Sequence, residues 1–225
     1  MTIKKKLVCL LLVLPLFVIT ACQSLDVVGS GAKSSFDALS KAMPDGVTPE
    51  DAIGGYALTS PDASARFLWS RDFSKSPVYD AWLETDILPF VEAGLDTAKL
   101  PEGMVHEGLL VVGADVGSQA PGYTGEATPQ KAFEQFVTYA RDSIGYHDAL
   151  AHYGISLGGG HMFEWAKDIK ANDKDIVFVL DPAPFMAAGA DPAKIPGWVF
   201  AKVDTMDDSG KKVQVDKLLK PFNIQ

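Results

Sequence analysis

The sequence predicts an α+β fold made of two tandem, pseudo-symmetric repeats of about 95 residues, each with helices packed on a mainly antiparallel sheet. Three observations lead to this prediction: an internal sequence match, short strand-like runs joined by links too short for parallel crossovers, and apolar residues at helical spacing near the start of each repeat. The chain has 225 residues, 47% of them hydrophobic, which is enough to bury a core.

The internal match is strongest between residues 86–101 and 181–196, which align without gaps and are identical at nine of 16 positions. Chance would give about one identity in such a window. Further matches upstream pair Phe67 and Trp69 with Phe163 and Trp165, and Phe36 with Phe133. We therefore divide the body into one repeat at residues 36–118, a connection rich in glycine and proline at 119–126, and a second repeat at 127–225.

Each repeat is expected to begin with a helix. Five apolar residues recur at helical spacing in these segments: Phe36, Leu39, Phe133, Phe136 and Val137. The run Thr48-Pro49-Glu50-Asp51 is typical of the start of a second, short helix. If the two apolar stripes face each other they close a core, and if they face a gap they line a pocket for an apolar ligand.

Strand-like runs follow these helices. A pair of short runs around a turn occurs in each repeat, and a further strand follows: 56–59, 66–69 and 78–87, then 153–156, 162–165 and 176–180. Pro89 and Pro184 are placed to start a helix, which Gly94 and Gly189 can end. Near the end of the chain we expect a hairpin of 198–206 with 211–215 and a last helix over 216–222.

Composition excludes several classes of protein. The net charge of −9 and a pI near 4.8 disfavour a nucleic-acid-binding protein that works through phosphate contacts. The two cysteines, Cys9 and Cys22, both lie near the N-terminus, so neither a disulfide framework nor a cysteine-ligated zinc site is expected in the body. No phosphate-binding glycine loop occurs in the sequence, and no cofactor or metal is expected.

The N-terminus has the pattern of a secretory leader. Three lysines precede an apolar stretch over residues 7–19, which is shorter than the roughly 20 residues that a membrane-spanning helix needs. The stretch ends in Ile19-Thr20-Ala21-Cys22, which resembles the lipobox of bacterial lipoproteins. The resemblance implies removal of residues 1–21 and acylation of Cys22, with residues 22–35 as a flexible tether rich in serine and glycine. Gln23, where that pattern has aspartate for inner-membrane retention, favours export to the outer membrane.

One motif suggests catalysis. Gly154-Ile-Ser156-Leu-Gly158 resembles the nucleophile elbow of α/β-hydrolases, which would make Ser156 the nucleophile. No histidine follows His161 to complete a triad in the usual order, and the preceding residues are not a buried strand, so a hairpin turn is the preferred interpretation. Asp181 recurs as Asp86 in the other repeat, which favours a helix cap.

Metal sites were considered at two places. His147, His152 and His161 lie near Glu164 in sequence, but their spacing matches no familiar pair of ligands, so solvated or half-buried histidines are preferred. Asp204, Asp207 and Asp208 lack the alternation of a calcium-binding loop and are expected in a solvated turn.

Together these observations predict a bacterial envelope protein that its N-terminal acyl chains anchor, most simply to the outer membrane, on its periplasmic or its surface face. Its role would be non-catalytic: binding a partner or organising the envelope. Two alternatives remain open, a carrier of lipid or another apolar ligand, and a serine hydrolase that uses Ser156.

Overall fold

The computed structural model describes residues 14–71, 79–115, 128–148, 150–169, 174–206, 209 and 211–224, and for residues 14–26, 141 and 206 it describes the backbone alone. The fold is a mixed α+β fold with two similar, fully antiparallel six-stranded sheets. The predicted class and the antiparallel pairing are therefore confirmed.

The first sheet contains six strands from the first half of the chain: β1 (Val47–Glu50), β2 (Gly55–Thr59), β3 (Ala65–Ser70), β4 (Ala81–Asp86), β5 (Val105–His106) and β6 (Leu109–Ala114). Their order is β1-β2-β3-β4-β6-β5. Apolar side chains alternate along β3, where Phe67 and Trp69 point to the core and Leu68 points to the opposite face.

The second sheet contains the strands of the second half: β7 (Ile144–His147), β8 (His152–Ser156), β9 (Met162–Ala166), β10 (Ile176–Leu180), β11 (Val199–Met206) and β12 (Lys212–Phe222). Their order is β7-β8-β9-β10-β12-β11, the same sequence of neighbours as in the first sheet. The expected closing hairpin of β11 and β12 is confirmed, with Val199 opposite Leu219 and Met206 opposite Lys212.

In the described part of the chain, four α-helices accompany the sheets: α1 (Leu14–Ala42), α2 (Leu88–Glu92), α3 (Pro129–Tyr139) and α4 (Ala183–Ala187). The predicted helices at Pro89 and Pro184 are confirmed, because both prolines lie in the first turn of a short helix. Gly94 and Gly189 follow these helices with φ of +100° and +99°, a backbone conformation that glycine adopts at low cost.

A single apolar core fills the space between the two sheets. Pairs of residues about 95 positions apart meet in it: the rings of Phe67 and Phe163 stack at 4.0 Å, and those of Phe90 and Phe185 lie 5.1 Å apart. Two backbone hydrogen bonds between the halves are also reciprocal. Asp96 N–H donates to Ala188 O, and Asp191 N–H donates to Ala93 O, both at 2.8 Å.

The first helix of each half lies on the sheet of the other half. α1 contacts β7 and β9, whereas α3 contacts β1, β2 and β3. Two hydrogen bonds hold this exchange: Ser35 Oγ donates to Ala166 O at 2.7 Å, and Trp69 Nε1 donates to Pro129 O at 3.2 Å. Each sheet is therefore covered by a helix from the other half of the chain, and neither half contains its own complete core.

The structure corrects two expectations about helices. Thr48-Pro49-Glu50 belongs to strand β1, where Pro49 lies opposite Tyr56, and only a short 3-10 helix follows at Asp51–Ile53. Pro49 is tolerated because β1 is the outer strand of its sheet. Residues 216–222, predicted as a helix, lie in β12, since pairing with both β10 and β11 outweighs their helical propensity.

The predicted tether is the third correction. Residues 22–35 lie within α1, and Ala32 and Ser35 are buried. Gly31 lets the helix approach the ring of Tyr153 closely, and Gly29 lies beside Val137. The small residues that suggested a flexible segment thus serve close packing of a helix. The expected connection at 119–126 lies outside the described residues.

Candidate functional site

Cys22, the expected acylation site, falls within the range of α1, in the part for which only the backbone is described. Within the described residues, no helix is both long and apolar enough to cross a membrane. The expectation of a lipid anchor therefore continues to rest on residues 1–22 of the sequence.

The five apolar residues proposed to line a ligand site lie together in the core. Phe36 stacks on Phe133 at 3.5 Å, and both rings make edge contacts with Trp69 and Trp165. None of the five is more than 1% exposed: Phe36, Leu39, Phe133, Phe136 and Val137. The two stripes face each other and fill the interior, which is the closed-core arrangement of the two considered above.

A small cavity lies elsewhere between the sheets, lined by residues such as Leu83, Phe178 and Trp198. Its volume of about 10 Å³ is close to the minimum for one water molecule.

Ser156 lies at the end of β8 and pairs with Met162 at the start of β9, across a tight turn. The residues before Ser156 do form a buried strand, contrary to the expectation above. The elbow of a hydrolase would need that strand to be followed by a helix, whereas β9 follows here. The three glycines of the turn, Gly158 to Gly160, all have positive φ, as a tight connection requires. The geometry agrees with the hairpin interpretation of this motif.

His161, in the same turn, is engaged by the backbone. Its Nδ1 accepts a hydrogen bond from Asp181 N–H at 3.2 Å. Burial lowers the pKa of His161 to about 4, and the nearby Lys217 ammonium acts in the same direction while the Asp181 carboxylate opposes it. Asp181 Oδ1 in turn accepts from Ala183 N–H at 2.8 Å, as Asp86 Oδ1 accepts from Leu88 N–H. Both acids therefore accept the first N–H of a short helix, from one residue before the N-cap position that the sequence suggested.

The structure does bring two histidines and a carboxylate together, on the face of the second sheet that points away from the core. Glu164 Oε1 lies 3.2 Å from His147 Nδ1, and Glu164 Oε2 lies 3.8 Å from His152 Nδ1. Glu164 and His152 are buried, whereas the side chain of His147 is 43% exposed. The expectation of solvated or half-buried histidines is therefore wrong for His152 and for His161, which is also buried. At the equivalent place on the first sheet, Leu68 packs against Trp82 instead, beside the ion pair of Arg66 with Glu84.

The contacts within this cluster favour the charged forms of Glu164 and His147. His152 Nε2 lies 2.9 Å from Lys174 O, and because a carbonyl only accepts, Nε2 carries a proton. Burial alone would raise the pKa of Glu164, but His147 and His152 outweigh it and lower that pKa. The hydrogen bond to Glu164 raises the pKa of His147. Across the part of the chain that the structure describes, no group of three or more His, Cys, Asp or Glu side chains is arranged for a metal ion.

Asp204, considered above as part of a calcium-binding loop, instead bonds to two side chains of the neighbouring strand. Its carboxylate contacts Lys212 Nζ at 2.8 Å and Gln214 Nε2 at 3.0 Å, across the β11–β12 hairpin. These hydrogen bonds lower the pKa of Asp204. Asp207 and Asp208 lie outside the described residues.

Part of the predicted β11–β12 hairpin extends beyond the rest of the second sheet, which the sequence did not predict. β12 pairs with β10 only from Leu218 onward, so residues 212–217 pair with β11 alone and form a two-stranded ribbon beyond the sheet. One face of the ribbon carries the ion pairs Lys202–Asp216 and Asp204–Lys212, at 2.9 and 2.8 Å. The alternation of polar and apolar residues from Lys212 to Lys217 was the signal for this longer strand.

The opposite face of the ribbon is half-buried and apolar at Ala201, Val203 and Val215, with Lys217 and the exposed Thr205 at its two ends. Val199 and Phe200, at the base of β11, are exposed by 52% and 37%. β11 is the outer strand of its sheet. The ribbon therefore combines an unpaired strand edge with apolar surface, the features of a site for strand pairing.

Comparison with protein-family models, with curated proteins and with solved structures finds no match for this chain.

Proposed function

We propose that this chain is a lipid-anchored protein of the bacterial envelope, held to the outer membrane by acyl chains on Cys22, with a non-catalytic role in binding or envelope organisation. The lipobox-like Ile19-Thr20-Ala21-Cys22 supports the anchor. Two or three acyl chains give stable attachment where one alone is marginal, at about 0.8 kcal/mol per buried methylene. Because the body is acidic, anionic headgroups would not attract it, and the lipid supplies the attachment.

The aromatic packing between the sheets is the observation that favours a binding role over the role of a carrier. The stacked Phe36 and Phe133, together with Trp69 and Trp165, fill the interior that a carrier would leave for its ligand. Residues that suggested catalysis also have structural partners, since Ser156 closes a hairpin and Asp181 accepts the first N–H of helix α4. What such a body offers to other molecules is its surface.

We further propose that the body consists of two tandem, pseudo-symmetric repeats of about 95 residues that arose by duplication. The identical order of strands in the two sheets supports this, as do the contacts between equivalent residues, Phe67 with Phe163 and Gly94 with Gly189. In a two-fold arrangement, each contact occurs twice or joins equivalent residues on the axis. The exchanged helices α1 and α3 join the two repeats through contacts of each helix with the sheet of the other.

Membrane fractionation of a Cys22→Ser variant tests the anchor. The wild-type chain should incorporate radiolabelled palmitate and sediment with outer membranes in high salt, while Cys22→Ser should lose the label and accumulate unprocessed or in the soluble fraction. Cys9→Ser, which changes the other cysteine, is the matched control and should behave as wild type. Retention of unlabelled Cys22→Ser in salt-washed outer membranes would show that something other than acylation holds the protein there.

A further inference from the structure

The free edge of β11 is unusual for a sheet boundary. The corresponding outer strand of the first sheet, β5, has two residues, whereas β11 has eight. Proteins normally keep such edges short, because exposed N–H and C=O groups pair with other strands. In the described part of the chain, β12 is the strand that pairs with β11, and on one side alone.

The residues of β11 are complementary to a second β11 in antiparallel orientation. With Val203 opposite Val203 of a second copy, Lys202 lies opposite Asp204 of that copy, and the same pair recurs on the other side of the two-fold axis. Shifting the register by two residues places Lys202 opposite Lys202 or Asp204 opposite Asp204, which is repulsive. A shift by one residue would join the charged face of one ribbon to the apolar face of the other.

The charge pattern extends over four strands. Within one chain Lys202 already contacts Asp216, and Asp204 already contacts Lys212. Pairing therefore forms a row that alternates in sign: Asp216 and Lys202 of one copy, then Asp204 and Lys212 of the other. The apolar faces around Val203 and Val215 become continuous on the reverse side, so the same register also joins apolar surface.

We propose that a second copy of this chain pairs with β11 through its own β11, in the antiparallel register centred on Val203. The product is a symmetric dimer in which the two ribbons form one four-stranded antiparallel sheet. This inference rests on the proposed binding role and names its partner. It does not depend on acylation of Cys22.

Disulfide trapping in the intact chain tests the register. In the proposed pairing Val203 lies directly opposite its counterpart, at a Cα separation of about 4.5–5.5 Å that suits a disulfide. Thr205 is four residues from its own counterpart along the paired strands. With copper phenanthroline as oxidant, V203C should give about tenfold more cross-linked dimer on a non-reducing gel than T205C. The chain without an introduced cysteine gives the background from Cys9 and Cys22.

Charge reversal tests the same pairing without a cysteine. K202E places like charges opposite each other twice and should weaken self-association, measured by sedimentation in detergent, about tenfold or more. The quadruple variant K202E/D204K/K212E/D216K restores all intrachain and interchain pairs and should associate with itself but not with wild type. K99E, which breaks the exposed Lys99–Asp96 pair elsewhere, is the control for the same change in charge.

A monomeric wild-type chain, equal trapping of V203C and T205C, or K99E weakening association as much as K202E would each overturn the dimer. Fractionation of the same membranes is read independently. A protein that is anchored but monomeric refutes the dimer alone, and a dimer that does not sediment with membranes refutes the anchor alone.

Discussion

Phe133→Ala should lower the free energy of unfolding by about 3–5 kcal/mol, the range for truncating a buried phenylalanine. The ring of Phe133 is fully buried, stacks on Phe36 at 3.5 Å and meets Trp69 and Trp165 edge-on at 6.1 and 5.5 Å. Truncation removes these three aromatic contacts and a fourth with Phe136 at 6.4 Å, and it leaves a cavity among rigid rings that cannot collapse easily. The upper half of the range is therefore expected.

A double-mutant cycle with Phe36→Ala refines this magnitude. Because the two rings stack on each other, removal of the first already opens the cavity into which the second projects. The double variant should lose less than the sum of the single variants, with a coupling of about 0.5–3 kcal/mol.

Urea unfolding followed by tryptophan fluorescence suits the measurement, because Trp69 and Trp165 are in direct contact with the altered site. Tyr139→Ala is the matched control. It lies on the same helix, α3, but is 41% exposed, so its loss should remain below about 1 kcal/mol.

The opposite result would have a clear meaning. If Phe133 lined a ligand site instead of the core, Phe133→Ala would barely change the stability of the ligand-free protein. A loss below about 1 kcal/mol, similar to that of Tyr139→Ala, would refute the closed core and favour a carrier.

Two further predictions concern charged groups. Glu164→Gln should lower the free energy of unfolding most between pH 4.5 and 6.5, the ordinary pKa values of Glu and His. The lowered pKa of Glu164 stabilises the fold above pH 4.5, and the raised pKa of His147 stabilises it below pH 6.5, so both contributions are present in this range. The difference from wild type, measured by urea unfolding, should shrink as pH rises through the pKa of folded His147, and a pH-independent difference would contradict the ion pair. Asp62→Ala removes the carboxylate that lies 2.7 Å from the nearly buried ammonium of Lys220 and should cost about 1–3 kcal/mol. Asp62→Ala/Lys220→Met should recover part of this loss in thermal unfolding, and no recovery would show that the buried ammonium is not its source.

Local pattern was sufficient for several elements. Proline followed five residues later by glycine marked the helices at Pro89 and Pro184, because proline is favoured in the first turn and glycine adopts the positive φ that ends a helix. The hairpin interpretation of residues 154–158 also agreed with the structure, since consecutive glycines favour a tight turn. These decisions depend on residues within one or two turns of each other, which a sequence shows directly.

Elements that depend on distant partners were predicted wrongly or missed. Residues 216–222 have a helix-compatible composition, but strands β10 and β11 lie on either side of them and complete a sheet. Likewise, the glycines at 29 and 31 indicate flexibility in isolation and close helix packing once Tyr153 and Val137 are beside them. Propensity is a weak preference, and the burial that overrides it comes from residues far away in the chain.

The sequence by itself determined the composition of the core, the antiparallel character of the sheets and the caps of the short helices, because each follows from local periodicity and turn chemistry. Only the tertiary structure decided that the aromatic stripes of Phe36 and Phe133 face each other, that α1 and α3 exchange sheets, and that Glu164 lies between His147 and His152. An apolar stripe requires burial but does not specify its partner. Which partner covers the stripe depends on how distant segments pack, because shape and charge complementarity between those segments determine the arrangement.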